Sequence, residues 1–169
     1  MKKNLILLGM MAAGKTTLGR IIAEKQKLEF IDTDLNIERK NSMKIKDIFK
    51  KKGEVFFRTE EEKEVLKSLK KNNCVIALGG GAFINKNLRN NILKNAISFW
   101  LNVNIKTLEK RSKWNQKRPL LINENSKQTL SKLYIERKNI YKLANHKIEC
   151  DKLSKESIVK KIIMLYEKH

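Results

Sequence analysis

"LILLGMMAAGKTT", residues 5–17, is open to two interpretations. After Lys2 and Lys3, its apolar start is typical of the core of an export signal. The same residues also fit a buried β-strand that leads into a turn bounded by glycines. An export signal needs a cleavage site of short side chains, and cleavage at Met11-Ala12-Ala13 would remove the first strand. The residues on either side of the turn therefore decide between the two.

Residues 9–16 read Gly-Met-Met-Ala-Ala-Gly-Lys-Thr and fit the pattern G-x-x-x-x-G-K-[ST]. In such a phosphate loop, backbone N–H groups converge on nucleotide phosphates, the lysine adds a positive charge and the hydroxyl ligates Mg²⁺. An apolar strand precedes the loop, and an amphipathic segment from Leu18 to Ala23 follows it. This context favours a phosphate loop that binds a nucleoside triphosphate. The residues expected to bind it are Ala12, Ala13, Gly14, Lys15, Thr16 and Thr17.

Length and composition indicate one domain over residues 1–169. Because the opening stretch is interpreted as a phosphate loop rather than an export signal, we expect the protein in the cytoplasm. Pro119 is the only proline, and no apolar run approaches the ~20 residues of a membrane span. Cys74 and Cys150 are too few for a disulfide framework, so we expect both to be buried in a reducing compartment. We expect a monomer that does not bind membranes.

The net charge of +20 raises the alternative of a nucleic-acid-binding protein with an incidental phosphate loop. The lysines are scattered along the chain, however, and no aromatic residues alternate with them as stacking on bases would need. We therefore expect no specific nucleic-acid partner. The positive field would still favour small anionic substrates.

Apolar runs alternate with helical patterns, which predicts a parallel sheet with helices on both faces. We expect an α/β fold, a three-layer sandwich that contains the phosphate loop, a five-stranded parallel sheet with helices on both faces, and a lid. The predicted strands are Asn4–Leu8, Glu29–Ile31, Val75–Leu78, Ile97–Leu101 and Lys147–Cys150. The predicted helices are Lys15–Gln26, Glu54–Lys70, Lys86–Leu93, Ile105–Lys113, Lys127–Leu143 and Lys155–Glu167. The polar stretch around Pro119 predicts a mobile lid at about residues 112–125.

Two turns at the carboxyl edge of the predicted sheet, where ligands bind in such folds, contain further candidate site residues. Asp32 and Asp34 follow the second strand, so one carboxylate can serve a metal through water while the other accepts a hydroxyl proton. The alternative is that Asp34 only caps the next helix. The third strand ends in Gly79-Gly80-Gly81, which lets the backbone approach a ligand closely, or else forms a plain tight turn.

Five motifs occur in order, and together they closely resemble shikimate kinase over residues 5 to about 137. They are the phosphate loop, Asp32-x-Asp34, Gly53-Glu54-x-x-Phe57-Arg58-x-x-Glu61, Gly79-Gly80-Gly81 and Arg118-Pro119-Leu120. The resemblance implies transfer of the ATP γ-phosphoryl group to a hydroxyl of shikimate, which gives shikimate 3-phosphate in aromatic amino-acid biosynthesis. It implies ATP and shikimate as partners and Mg²⁺ as cofactor.

On the acceptor side, the resemblance implies that Asp34 binds substrate hydroxyls and is the candidate base. Arg58 would grip the substrate carboxylate, Glu61 would orient Arg58, and Arg137 would complete the clamp. The glycines Gly79, Gly80 and Gly81 would line the substrate, with a backbone contact from Gly80.

On the nucleotide side, the resemblance implies that Arg111 lies against the adenine and that Arg118 reaches the phosphates from the lid. Lys15 and Arg118 would neutralise the transferring group, and Thr16 and Asp32 would hold the metal. Two departures stand out. The family usually has glycine where this chain has Ala12, and residues 150–154 lack the proline that the family tends to carry near the adenine.

Other classes of protein remain as alternatives. A kinase of another small metabolite, such as gluconate, would share the loop and the lid, but the Arg58 and Glu61 arrangement favours a shikimate-like site. A nucleoside monophosphate kinase fits less well, because the second site looks built for a carboxylate. A GTP-dependent switch would need Asn-Lys-x-Asp, and the nearest match, residues 85–88, lacks the final aspartate.

Overall fold

The computed structural model describes residues 3–113 and 126–169, which form five β-strands and seven α-helices. The strands are β1 Asn4–Leu8, β2 Glu29–Asp32, β3 Cys74–Ala77, β4 Ala96–Asn102 and β5 His146–Glu149. The helices are α1 Lys15–Gln26, α2 Thr33–Asn41, α3 Ile45–Leu69, α4 Lys86–Asn95, α5 Ile105–Lys113, α6 Ser126–Tyr141 and α7 Lys155–Tyr166. A short 3₁₀ helix covers Ala82–Ile84.

The five strands form one parallel sheet in the order β2-β3-β1-β4-β5, with the helices flanking it. Strand β1 lies at the centre, and its residues 5–8 are at most 1% exposed. Its apolar sequence follows from this position, since a parallel strand covered on both faces has no polar side. Because all five strands run the same way, their carboxyl ends meet at one edge, where the phosphate loop and residues 79–81 lie. None of the described helices is long and apolar enough to cross a membrane.

The predicted fold class is confirmed. Strand β1 has its predicted bounds, and the ends of the other four strands differ from the prediction by no more than one residue. Helix α1 begins and ends where predicted, whereas α2 and the first part of α3 were not predicted. Residues 33–52 are polar and weakly periodic, and their helical form depends on packing against a separate apolar cluster. The predicted lid, with Arg118 and Pro119, falls mainly on residues 114–125, outside the described residues; residues 112 and 113 belong to α5.

Helix α3 consists of two helical segments joined at Gly53, whose φ of 82° and ψ of 169° are not helical. A positive φ is readily adopted by glycine alone, so this residue permits the change of direction. The segment before Gly53 packs with α2 around Ile37, Ile48 and Phe57, a small core beside the main one. The segment after Gly53 carries Arg58 and Glu61 toward the edge of the sheet. Both cysteines are buried and free, as expected.

Candidate active site

The phosphate loop, residues 9–16, connects β1 to α1, and three of its residues, Gly9, Ala12 and Gly14, have a positive φ. Gly14 has a φ of 98° and Ala12 a φ of 62°. The Ala12 position that differs from the family pattern therefore keeps a conformation that favours glycine. The Lys15 ammonium is buried and donates to the carbonyl oxygens of Gly9 at 2.9 Å and Met10 at 2.8 Å. The positive charge is thus held inside the curve of the loop.

A cavity of about 340 Å³, the phosphate-loop cavity, lies beside this loop. It is lined by Ala12, Ala13, Gly14, Lys15, Thr16, Thr17, Leu18, Arg111, Cys150, Lys155 and Ile158. All six loop residues predicted to bind ATP are in this set, together with Arg111. The Arg111 guanidinium lies 3.4 Å from the carbonyl oxygen of Ala12. Lys155 and Ile158, from α7, were not predicted, because nothing in the sequence brings α7 to the loop.

Asp32, the last residue of β2, contacts the phosphate loop with one carboxylate oxygen and α2 with the other. The Thr16 hydroxyl donates to Oδ2 at 2.6 Å, and the backbone N–H of Leu35 donates to Oδ1 at 3.1 Å. Asp32 is therefore the N-cap of α2, and the alternative that Asp34 caps this helix is wrong. Asp34 lies in the first turn of α2, with its side chain toward residues 79–81.

A second cavity of about 270 Å³, the arginine cavity, lies next to the first. Its polar lining consists of Lys15, Thr16, Asp32, Asp34, Glu38, Lys44, Arg58, Glu61 and Arg137, and Gly80 and Gly81 also line it. Apolar walls come from Met11, Leu35, Ile45, Phe49, Phe57 and Leu78. Lys15 and Thr16 line both cavities, so the end of the phosphate loop is their common wall. A group bound in one cavity would face a group bound in the other across these two residues.

The first residue of the glycine turn, residues 79–81, lies beneath two carboxylates. A β-carbon on Gly79 would stand 2.5 Å from Asp34 Oδ1 and 2.7 Å from Glu61 Oε1. Gly79 does not line the arginine cavity, although it was predicted to contact substrate. Its missing side chain instead leaves the space that the two carboxylates occupy.

The next two glycines are each covered by a guanidinium. A β-carbon on Gly80 would stand 3.3 Å from Arg137 Nη1, and one on Gly81 would stand 2.9 Å from Arg58 Cζ. These separations are closer than ordinary van der Waals contact. The three glycines thus make room for two acids and two arginines along a single turn, which a plain tight turn would not require.

Two carboxylates hold the guanidinium of Arg58. Nη1 donates to Glu61 Oε2 at 2.8 Å, whereas Nε and Nη2 both donate to Glu54 Oε1, at 3.3 and 3.2 Å. Burial lowers the pKa of Arg58, but these two ion pairs outweigh it and the pKa is raised. Burial raises the pKa of Glu61, and the attraction of Arg58 offsets part of that rise. Arg58 therefore stays charged and oriented.

Sequence reasoning missed two residues that fix the glycine turn. The Thr33 hydroxyl accepts from the backbone N–H of Gly79 at 3.1 Å and donates to the carbonyl of Ala77 at 3.3 Å. The Tyr141 hydroxyl donates to the carbonyl of Gly80 at 2.5 Å. Tyr141 follows Arg137 by four residues, which places both on one face of α6. That spacing was the one signal in the sequence that could have identified Tyr141.

Comparison with known proteins identifies the chain's relatives. The family model described as shikimate kinase matches residues 11–167. A shikimate kinase of Sulfurihydrogenibium sp. is 43% identical over 161 residues, covering 95% of this chain and 96% of that protein. The structure of shikimate kinase from Acinetobacter baumannii in complex with shikimate has a TM-score of 0.94 and 35% identity. That match covers 99% of this chain and 94% of that one.

The alternative of a gluconate kinase is supported only by similarity of fold. A gluconokinase structure from Sinorhizobium meliloti has a TM-score of 0.61 and 13% identity, covering 98% of this chain and 92% of that one. The resemblance that the motifs predicted is instead confirmed over nearly the whole chain. By its sequence and by its fold, the chain belongs to the shikimate kinase family.

Proposed function

We propose that this chain transfers the γ-phosphoryl group of ATP to a hydroxyl of shikimate, giving shikimate 3-phosphate and ADP. One observation carries the proposal: the phosphate-loop cavity and the arginine cavity share Lys15 and Thr16 as their wall. A nucleotide whose phosphates occupy the loop would present its last phosphate to whatever fills the arginine cavity. Membership of the family supports shikimate as that acceptor.

On the nucleotide side, the N–H groups of residues 12–17 and the positive end of α1 would bind the phosphates. Lys15 would leave the carbonyls of Gly9 and Met10 and neutralise charge that develops on the transferring group. Arg111 would lie against the adenine, since it lines the same cavity. Arg118, which is outside the described residues, is proposed for the phosphates on the resemblance alone.

The hydroxyl of Thr16 and the carboxylate of Asp32 fit a magnesium site. Both are hard oxygen donors that lie 2.6 Å apart. Both line the arginine cavity, and Thr16 also lines the phosphate-loop cavity. Within residues 3–113 and 126–169, no three His, Cys, Asp or Glu side chains cluster to hold a metal. A Mg²⁺ ion here would take its other ligands from phosphates and water, as this ion commonly does. It would supply neutralisation of charge on the phosphates.

On the acceptor side, Arg58 and Arg137 would bind the carboxylate of shikimate, because planar guanidinium groups match a carboxylate with paired hydrogen bonds. Asp34 would bind the hydroxyl that is phosphorylated and receive its proton. A bond then forms between that oxygen and the γ-phosphorus, and the bond from phosphorus to the bridging oxygen of ADP breaks. Glu61 would keep Arg58 in place.

We further propose that the chain acts as a single-domain monomer in the cytoplasm, without a specific nucleic-acid partner. The wide spread of its lysines supports a bulk charge rather than a binding footprint. Retention on heparin should vanish at moderate salt, because binding by bulk charge reflects counterion release. Binding to DNA duplexes should show no preference for a sequence.

The test is an ADP-release assay with ATP and Mg²⁺, comparing shikimate with gluconate. Turnover that depends on shikimate is the expected result. Turnover with gluconate alone would assign the acceptor to the alternative kinase class. ADP release that ignores both acceptors would leave the nucleotide site standing and refute the proposed acceptor.

A further inference from the structure

Tyr141, the last residue of α6, is a buried tyrosine that lies behind the glycine turn. It is fully buried, and its ring is tilted against Trp100 with the ring centroids 6.0 Å apart. Its hydroxyl donates to the carbonyl of Gly80 at 2.5 Å, and Met10 Sδ lies 4.0 Å from the hydroxyl oxygen of Tyr141. Burial raises the pKa of Tyr141 to about 12, so the phenol is a neutral donor at physiological pH.

Gly80 is the residue where three parts of the site meet, and its carbonyl accepts the bond from Tyr141. It also accepts from Arg137 Nη1, at 3.3 Å. A β-carbon on Gly80 would stand 3.7 Å from the carbonyl oxygen of Gly9 and 3.8 Å from the backbone nitrogen of Met11. The glycine turn, helix α6 and the phosphate loop therefore converge within van der Waals distance of one residue.

The two bonds to this carbonyl differ in strength. The bond from Arg137 is long for a charged donor, whereas the bond from Tyr141 is at the short end of the range for a hydroxyl. The phenol therefore anchors the carbonyl, and Arg137, which lines the arginine cavity, makes the longer bond to the same oxygen. Because Arg137 and Tyr141 lie one turn apart on α6, the anchor also sets where the guanidinium stands.

We propose that Tyr141 is a positioning residue for the acceptor: its bond to Gly80 holds the glycine turn and Arg137 at the distance from the phosphate loop that the acceptor carboxylate requires. This inference rests on the proposed function. Tyr141 lies outside both cavities, and it would contribute to the affinity for the acceptor but not to the affinity for ATP. Loss of the hydroxyl would leave a buried carbonyl held only by the weaker bond, and the turn would shift.

The chain offers a matched control on the same helix. The Tyr134 hydroxyl donates to Asn102 Oδ1 at 3.0 Å and touches neither cavity. Tyr141→Phe and Tyr134→Phe each remove one hydroxyl from α6, and both proteins are assayed for the KM of shikimate, the KM of ATP and the thermal midpoint. For Tyr141→Phe we expect the KM of shikimate to rise about 10-fold, the effect of one buried hydrogen bond. Its KM for ATP should stay within about 2-fold, and both KM values should hold in Tyr134→Phe.

A third variant, Arg137→Lys, closes a thermodynamic cycle with Tyr141→Phe. If Tyr141 acts through Arg137, the rise in the KM of shikimate in the double variant is smaller than the product of the two single effects. Four outcomes would overturn the inference. The first two are an unchanged KM for shikimate in Tyr141→Phe and an equal rise in the KM of both substrates. The others are independent effects in the cycle and a Tyr141→Phe protein that does not fold. Absence of shikimate turnover in the unaltered protein would instead refute the proposed function on which the inference rests.

Discussion

The guanidinium of Arg58 lies directly over the α-carbon of Gly81, with Cζ 2.9 Å from where a β-carbon would stand. The backbone of Gly81 has a φ of −95°, which any residue adopts. Glycine is therefore required there by space alone. The same guanidinium is held by Glu61 and Glu54, each about one helical turn away on α3. The position of the Arg58 side chain therefore depends on two near residues and on Gly81, which is distant in sequence.

Gly81→Ala should displace the guanidinium of Arg58 while leaving the fold intact. The added methyl meets the end of a flexible side chain and needs no backbone strain. We expect the KM of shikimate to rise about 10-fold and the KM of ATP to stay unchanged, as one charge-assisted contact is lost. Steady-state kinetics check this, and an unchanged KM for shikimate would contradict it.

Arg58→Lys should weaken acceptor binding, because an ammonium cannot make paired hydrogen bonds with a carboxylate while also reaching Glu54 and Glu61. We expect the KM of shikimate to rise about 10- to 100-fold. Arg39→Lys, a matched change at an exposed arginine of α2, should leave it unchanged. Equal affinity for shikimate in both variants would move the carboxylate site elsewhere.

Lys15→Ala should lower kcat about 10²- to 10³-fold or more, because the charge opposite the transferring group is removed. The protein should still fold, since α1 is also fixed by buried side chains such as Ile22. Lys25→Ala, at an exposed position of the same helix, is the control and should retain full activity. Full activity in Lys15→Ala would refute the assignment of the phosphate loop.

Ala12→Gly should stabilise the protein, because the φ of 62° costs an alanine more than a glycine. Part of the gain is offset by the greater freedom of glycine in the unfolded chain, which leaves about 0.5–1 kcal/mol. Ala13→Gly, at the neighbouring buried position, should destabilise instead. Urea unfolding of both variants measures these opposite signs, and a loss of stability in Ala12→Gly would show that the loop does not hold this conformation.

Glu61 and Glu60 should give stability opposite dependences on pH. Burial raises the folded pKa of Glu61, so the folded state holds a proton that the unfolded state releases, and this contribution to stability falls as pH rises above about 4.5. A hydrogen bond from Lys40 lowers the folded pKa of Glu60, so its contribution is present above about 4.5 and is lost as pH falls.

Urea unfolding at several values of pH between 3 and 7 tests both signs, with Glu61→Gln and Glu60→Gln as references. The difference in unfolding free energy between the unaltered protein and Glu61→Gln should decrease with rising pH, whereas the difference from Glu60→Gln should increase. Parallel curves for the two variants would contradict the assignment.

Local patterns predicted the parts of the fold whose causes are local. The apolar run before Gly9 and the phosphate-loop pattern located β1, the loop and α1, because a buried parallel strand and a helix that follows a glycine turn each have a short-range signature. Residues 33–52 had no such signature. Their helices depend on the cluster of Ile37, Ile48 and Phe57, which forms only when α2 and α3 meet.

The site divides in the same way. Motifs in the chain identify the groups of the site: Lys15 and Thr16 in the loop, Asp34 beside it, and the arginines that face a carboxylate. Two features appear only once the chain has folded: each glycine of the turn makes room for a charged group, and Tyr141 anchors Gly80. These are contacts between residues as many as 61 positions apart. Such contacts follow from packing, which no short-range pattern in the chain encodes.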